Sequence, residues 1–152
     1  MQQGVGVESW PNGTSFMGNY KNGVRNGFGI QKWPDQQSYA GNYRNGLIEG
    51  FGTYRWNDGR EFTGDWVNQK IYGFGVQDYQ DGRRYEGFYK LDKRQGYGIY
   101  MMPDRSTYSG AWQEGKQHGY GCVYNSRNEL KYGLWNHGQK LIKLTPEQAT
   151  DI

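Results

Sequence analysis

GLIEGFG, Gly46 to Gly52, places three glycines in seven residues, the stretch of this chain most like a phosphate-cradling loop. Such a loop needs a third glycine after Gly-x-Gly-x-x, then a helix whose N-terminus faces the anion. From Gly27/Gly29 onward, the residues three past the second glycine of each Gly-x-Gly pair are Lys32, Arg55, Asp78, Met101 and Tyr124. No helical pattern follows them, and there is no P-loop lysine, so phosphate binding of this kind is excluded. His118 and His137 are 19 residues apart in turn segments, a spacing that reads as solvated histidines rather than metal ligands. Cys122 occupies the column held elsewhere by Ile30, Thr53, Val76 and Ile99, which makes it a packing residue rather than a nucleophile. Asp58, Asp81 and Asp104 sit where turns favour aspartate on conformational grounds. The reading is a chain with no catalytic residues, no metal site and no cofactor.

Two sets of side chains remain as candidates for binding. The first is aromatic: Tyr20, Tyr43, Trp66, Tyr89, Trp112 and Trp135, together with Phe16, Tyr39, Phe62, Tyr85 and Tyr108. Rings in such numbers serve packing first. A single-layer sheet has two faces and few residues to cover both, so some rings are expected to stay open as anchors for a partner protein. That partner is an extended or helical segment lying along the sheet, or another repeat array. The second set is basic: Lys70, Lys93, Arg94 and Lys116 near hairpin tips, with Lys21, Arg44 and Lys90 closing first strands. Each could add about 1 kcal/mol of attraction to an anionic membrane. Glu49, Asp92 and Glu114 interrupt the set, so a solvated rim is the preferred reading over lipid headgroup contacts.

The elements that position these residues follow from a period. Gly4/Gly6, Gly27/Gly29, Gly50/Gly52, Gly73/Gly75, Gly96/Gly98 and Gly119/Gly121 recur every 23 residues without slippage. A second glycine column runs Gly18, Gly41, Gly64, Gly87, Gly110, Gly133, and both aromatic columns keep the same step until Lys131 breaks one of them. Fixed periods of this length mark repeat architectures. Tyr39 and Tyr43 alternate as in a strand, and Gly41 between them leaves a notch for a ring on the same face. Each unit reads as a β-hairpin: a first strand such as QSYAGNYRNG, a turn at GLIE, a second strand at GFGTYRW, then NDG leading onward. Strands of about seven residues and turns of four or five fit ordinary hairpin lengths. Asn12-Gly13, Asp58-Gly59 and Asp81-Gly82 supply tight-turn residues. One hairpin alone is marginal, so neighbour contacts must stabilise the array.

Composition agrees with a thin structure held by rings. Gly makes up 25 of 152 residues, and aromatics are 17% against 34% for all hydrophobics, too few aliphatic residues for two layers around a core. The formal net charge of +3 is interspersed, with no basic block for nucleic acid. A single cysteine and the lack of an apolar run of membrane length favour the cytoplasm or the cytosolic face of a membrane. MQQGVGVESW has neither region of a secretory signal.

YAGNYRNGLIEGFGTYRWNDG, FTGDWVNQKIYGFGVQDYQDG, YEGFYKLDKRQGYGIYMMPD and YSGAWQEGKQHGYGCVY resemble MORN (membrane occupation and recognition nexus) repeats. The resemblance covers Gly4 to about Gly138. Gln69 and Asp92 replace one turn glycine, and Gln36 and Arg105 replace another. It implies an all-β array of tandem hairpins forming one elongated, twisted antiparallel sheet over residues 1–144. A half repeat spans 4–13, and units start near 14, 37, 60, 83, 106 and 129. The leading reading is a non-enzymatic scaffold that binds other proteins, and the resemblance implies a cytoskeletal, ciliary or membrane-junction setting, with a cytoskeletal or ciliary assembly preferred. The alternatives are an anionic-phospholipid adaptor and the regulatory array of a larger enzyme, as in lipid kinases and a SET methyltransferase. A chain beginning in half a unit exposes a strand edge that a partner or a preceding unit would cover. QKLIKL reads as a capping strand, and residues 145–152 as a helix start, with Thr145 the N-cap, Pro146 at the first position and Gln148 closing a capping box.

Overall fold

The computed structural model describes residues 3–150. Thirteen strands form one antiparallel sheet, each pairing with its sequence neighbours in order. They are β1 Gly4–Ser9, β2 Ser15–Lys21, β3 Val24–Lys32, β4 Ser38–Arg44, β5 Leu47–Arg55, β6 Glu61–Val67 and β7 Lys70–Asp78. Then come β8 Arg84–Lys90, β9 Lys93–Met101, β10 Thr107–Gln113, β11 Lys116–Tyr124, β12 Leu130–Asn136 and β13 Gln139–Leu144. The short helix α1, Pro146–Thr150, ends the described chain. Its capping box is made: the Thr145 amide donates to Gln148 Oε1 at 2.9 Å and the Gln148 amide to Thr145 Oγ1 at 3.2 Å.

Two kinds of turn alternate. Hairpin tips are two-residue turns whose central residues both have positive φ, as at Asn45 (51°) and Gly46 (83°). This is type I′ geometry, which matches the right-handed twist of the flanking strands. The GLIE turn expected from sequence is therefore shifted: Asn45-Gly46 make the turn, and Leu47 to Glu49 already belong to β5. Units are joined by a second turn, exemplified by Trp56 to Arg60. Here the Trp56 amide donates to the Arg60 carbonyl at 2.9 Å, and the Arg60 amide donates to the Asp58 carboxylate at 3.0 Å. The equivalent bonds to Asp35, Asp81 and Asp104, with those from Gln37, Arg83 and Ser106, hold these carboxyls below their ordinary pKa.

The second strands β3, β5, β7, β9 and β11 are nine residues long rather than seven because each absorbs a bulge. Gly41 pairs with Gly52 and Tyr43 with Ile48, so Asn42 faces Glu49, Gly50 and Phe51. Gly50 turns this corner with φ of 98°, a conformation open to glycine at little cost.

One face of the sheet carries the core. Tyr39 lies flat along β4, its hydroxyl donating to the Asn42 carbonyl at 3.0 Å; Tyr85 and Tyr108 repeat this with Phe88 and Ala111. The ring covers Gly52 on the next strand, where an added Cβ would run into it. At the first full unit a Cβ on Gly29 would come within 2.6 Å of Phe16 Cζ. Gly29, Gly52, Gly75, Gly98 and Gly121, the second glycines of their pairs, are thus the floor on which a ring rests.

Candidate functional site

The ring columns interlock edge to face. Tyr20, Phe16, Tyr43, Tyr39, Trp66, Phe62, Tyr89, Tyr85, Trp112, Tyr108 and Trp135 form one unbroken run. Its successive centroids are 4.9–5.8 Å apart, with planes at 81–89°. Such pairs contribute about 0.5–1.5 kcal/mol each beyond burial. All eleven rings are 0–6% exposed. The residues expected to offer open anchors are therefore the core of the sheet, because Phe16, Tyr39, Phe62, Tyr85 and Tyr108 rest on glycines and every ring inside the run is flanked by two others. Burial pushes the hydroxyls of Tyr43 and Tyr108 up to about 12 and raises those of Tyr39, Tyr85 and Tyr89.

Polar atoms along the run find partners that differ by unit, except the buried Tyr20 hydroxyl, which has none. Where the column holds Trp, as at Trp66 and Trp112, the indole donates to the carbonyls of Gly52 and Gly98, both at 3.2 Å. Where it holds Tyr, as at Tyr89, the hydroxyl donates to Gln77 Oε1 at 3.1 Å.

Above the core lies a second, half-buried tier on the same face, including Trp33, Ile48, Tyr54, Trp56, Tyr100 and Val123. Tyr54 sits 4.6 Å from Trp56, 5.6 Å from Trp33 and 6.0 Å from Trp66. Two open clefts form in this tier. One, of about 380 Å³, is walled by Tyr54, Trp56, Trp66, Ile71 and Gln77. The other, of about 340 Å³, is walled by Tyr100, Met102, Trp112, Gln117 and Val123. Cations lie on the rings throughout: Arg25 stands 3.9 Å from the Phe16 centroid, Arg60 4.7 Å from Trp56 and Arg94 4.7 Å from Tyr100. Sequence reading passed over this tier, although Trp10, Trp33, Trp56 and Tyr79 keep the 23-residue step.

The basic set lies in two places. Lys70, Lys93 and Lys116 open β7, β9 and β11 in a row, and Lys93 is paired with Glu114 at 3.1 Å. Arg94 turns to the ring face and, with Lys116, lines the second cleft. The opposite face carries the middle residues of the Gly-x-Gly pairs, Phe28, Phe51, Phe74, Tyr97 and Tyr120, all 46–58% exposed. Cys122 is half-buried and its thiol pKa is raised by burial. His118 and His137 pack at 4.7 Å, and the His137 amide donates to His118 Nδ1. Among the described residues no group of three or more His, Cys, Asp or Glu could hold a metal ion. No helix among them is long and apolar enough to cross a membrane.

A sheet of hairpins in a 23-residue register, floored by glycine and filled by rings, defines a MORN array. The MORN repeat model matches residues 1–15, 16–38, 39–59, 62–83, 85–107 and 108–125, and the chain belongs to that family. No curated protein sequence matches it. Among solved structures it is similar to the TCP domain of Drosophila melanogaster SAS-4 (dCPAP), determined in complex with a proline-rich motif of Ana2 (dSTIL). The identity is 15%, the TM-score 0.50, and the match covers 93% of this chain and 85% of that one. It is also similar to the wild-type TCP10 domain of Danio rerio CPAP, at 14% identity and a TM-score of 0.50, over 92% of this chain and 66% of that one. At these identities the likeness concerns the fold.

Proposed function

We propose that the chain is a non-catalytic scaffold that binds another protein along the ring face of its sheet, within a cytoplasmic, cytoskeletal assembly. The observation that carries this reading is the half-buried aromatic tier with two clefts above a core that is already filled. Those rings are not needed to complete the ladder, and rigid aromatic walls are favoured anchors at interfaces. Family resemblance supports the cytoskeletal setting. The fold likeness to a domain solved with a peptide motif of another protein supports a peptide partner.

Affinity capture from the source cell tests the reading, with wild-type chain beside two folded surface variants. Trp56→Ala with Met102→Ala strips the clefts, and Phe51→Ser with Phe74→Ser strips the opposite face. A partner retained by the second variant and lost from the first is the expected result. Identical partner lists from all three would overturn it. Sedimentation with anionic vesicles at physiological salt, abolished by charge reversal at Lys70, Lys93 and Lys116, would favour a membrane adaptor instead.

A further inference from the structure

The two clefts are equivalent and two units apart: Tyr54, Trp56 and Trp66 of one stand where Tyr100, Met102 and Trp112 stand in the other, each 46 residues on. β6 and β10 are separated by four strand spacings of about 4.8 Å, which puts the clefts about 19 Å apart. In the unit between them Arg94 takes the position that Ile71 and Gln117 hold in the flanking units. Its guanidinium lies 5.0 Å from the Tyr85 ring centroid and 5.2 Å from that of Trp112. It donates from Nη2 to the Tyr79 hydroxyl at 2.6 Å. Nearby Arg60 and Arg83 are neutralised by Asp58 and Asp81, both at 2.8 Å. Among the described residues no carboxylate pairs with Arg94, and the Asp92 carboxylate that lines the first cleft is taken by the Ile71 amide, so the groove formed by the two aromatic clefts carries an unpaired guanidinium between their walls, at the near edge of the second cleft.

Resting on the scaffold reading above, we infer that this groove binds a proline-rich segment of a partner protein. The segment has two prolines about six residues apart and an acidic residue midway. A polyproline II helix rises about 3.1 Å per residue with three residues per turn, so residues i, i+3 and i+6 face one side and span about 19 Å. Prolyl rings fit flat aromatic walls, and the preformed helix loses little entropy on docking. The midway carboxylate supplies the anion that Arg94 lacks, through a charge-assisted hydrogen bond.

Fluorescence anisotropy with short labelled peptides tests the inference on the full chain. One peptide carries Pro-x-x-Glu-x-x-Pro, a second has Lys in place of Glu, and a third moves the prolines to four residues apart. The first should bind about tenfold or more tighter than the Lys peptide, the factor that a charge-assisted bond supplies, and tighter than the third, whose prolines cannot reach both clefts at once. Arg94→Glu should reverse the order of the Glu and Lys peptides, an outcome that loss of folding cannot produce. Trp56→Ala should weaken binding of the Glu peptide in a chain whose circular dichroism is unchanged. Equal binding of all three peptides, no saturable binding, or an unchanged order in Arg94→Glu would overturn the inference. Peptide failure alongside a captured partner that is lost with the cleft variant would leave the scaffold reading standing. Vesicle binding lost in Arg94→Gln, without peptide binding, would assign the groove to anionic headgroups and overturn the proline-rich partner.

Discussion

Leu91 and Asp92 occupy the tip between β8 and β9 with φ of 49° and 69°, where most units place Asn or another polar residue before Gly. Asp92 has a return: its carboxylate accepts from the Ile71 amide at 2.8 Å, tying two hairpins together. Leu91 is 56% exposed, so the left-handed conformation is not offset by burial. Leu91→Asn should stabilise the chain by about 1 kcal/mol, seen as a higher denaturant midpoint with unchanged slope; no gain would contradict the strain. The tyrosines give a second test. Their hydroxyl pKa values lie above the ordinary 10, with burial the first cause, offset at Tyr43 by Arg25. The folded state then keeps protons that the unfolded chain releases. This stabilisation is complete below pH 10 and is lost as pH rises through about 12. Absorbance titration should show a late tyrosinate fraction that appears together with loss of near-ultraviolet circular dichroism. A single midpoint near 10 in a folded chain would contradict the buried ladder.

Within a hairpin, the glycines of each pair have different jobs. Gly50 turns a bulge at positive φ, and a Cβ there meets Asn42 at 3.1 Å. Gly52 supports the Tyr39 ring. Gly50→Ala should cost about 1–3 kcal/mol through backbone strain, and Gly52→Ala about 1–3 kcal/mol or more through overpacking. A double-mutant cycle separates them. Tyr39→Ala removes the ring, so its cost with Gly52→Ala should fall well below the sum, while with Gly50→Ala it should add to within about 0.5 kcal/mol. Additivity in both pairs would contradict the assignment. The repeat, the hairpins and the ring columns were legible in the sequence because their spacing never slips. The turn at Asn45-Gly46 was misplaced because the bulge lengthens β5 without changing the period. The fate of Tyr39 or Trp66 was less legible: alternation says which face a ring takes, not that it lies flat and leaves no anchor exposed.

Among the described residues, thirteen strands each pair with their sequence neighbours, so stability accumulates along the array. The second tier was missed for a related reason. Trp33, Trp56 and Tyr79 fall in or beside the connecting turns, outside the strand pattern, and their grouping depends on how those turns fold back over the rings. That tier makes the ring face a binding surface, and cross-linking from it tests the claim most directly. A photoreactive amino acid placed at position 56 or 102, and at position 51 on the opposite face, is irradiated in the source cell and the products identified. The account predicts a discrete protein cross-linked from positions 56 and 102 and not from 51. Cross-links confined to position 51, or none from 56 and 102 in a folded chain, would contradict it.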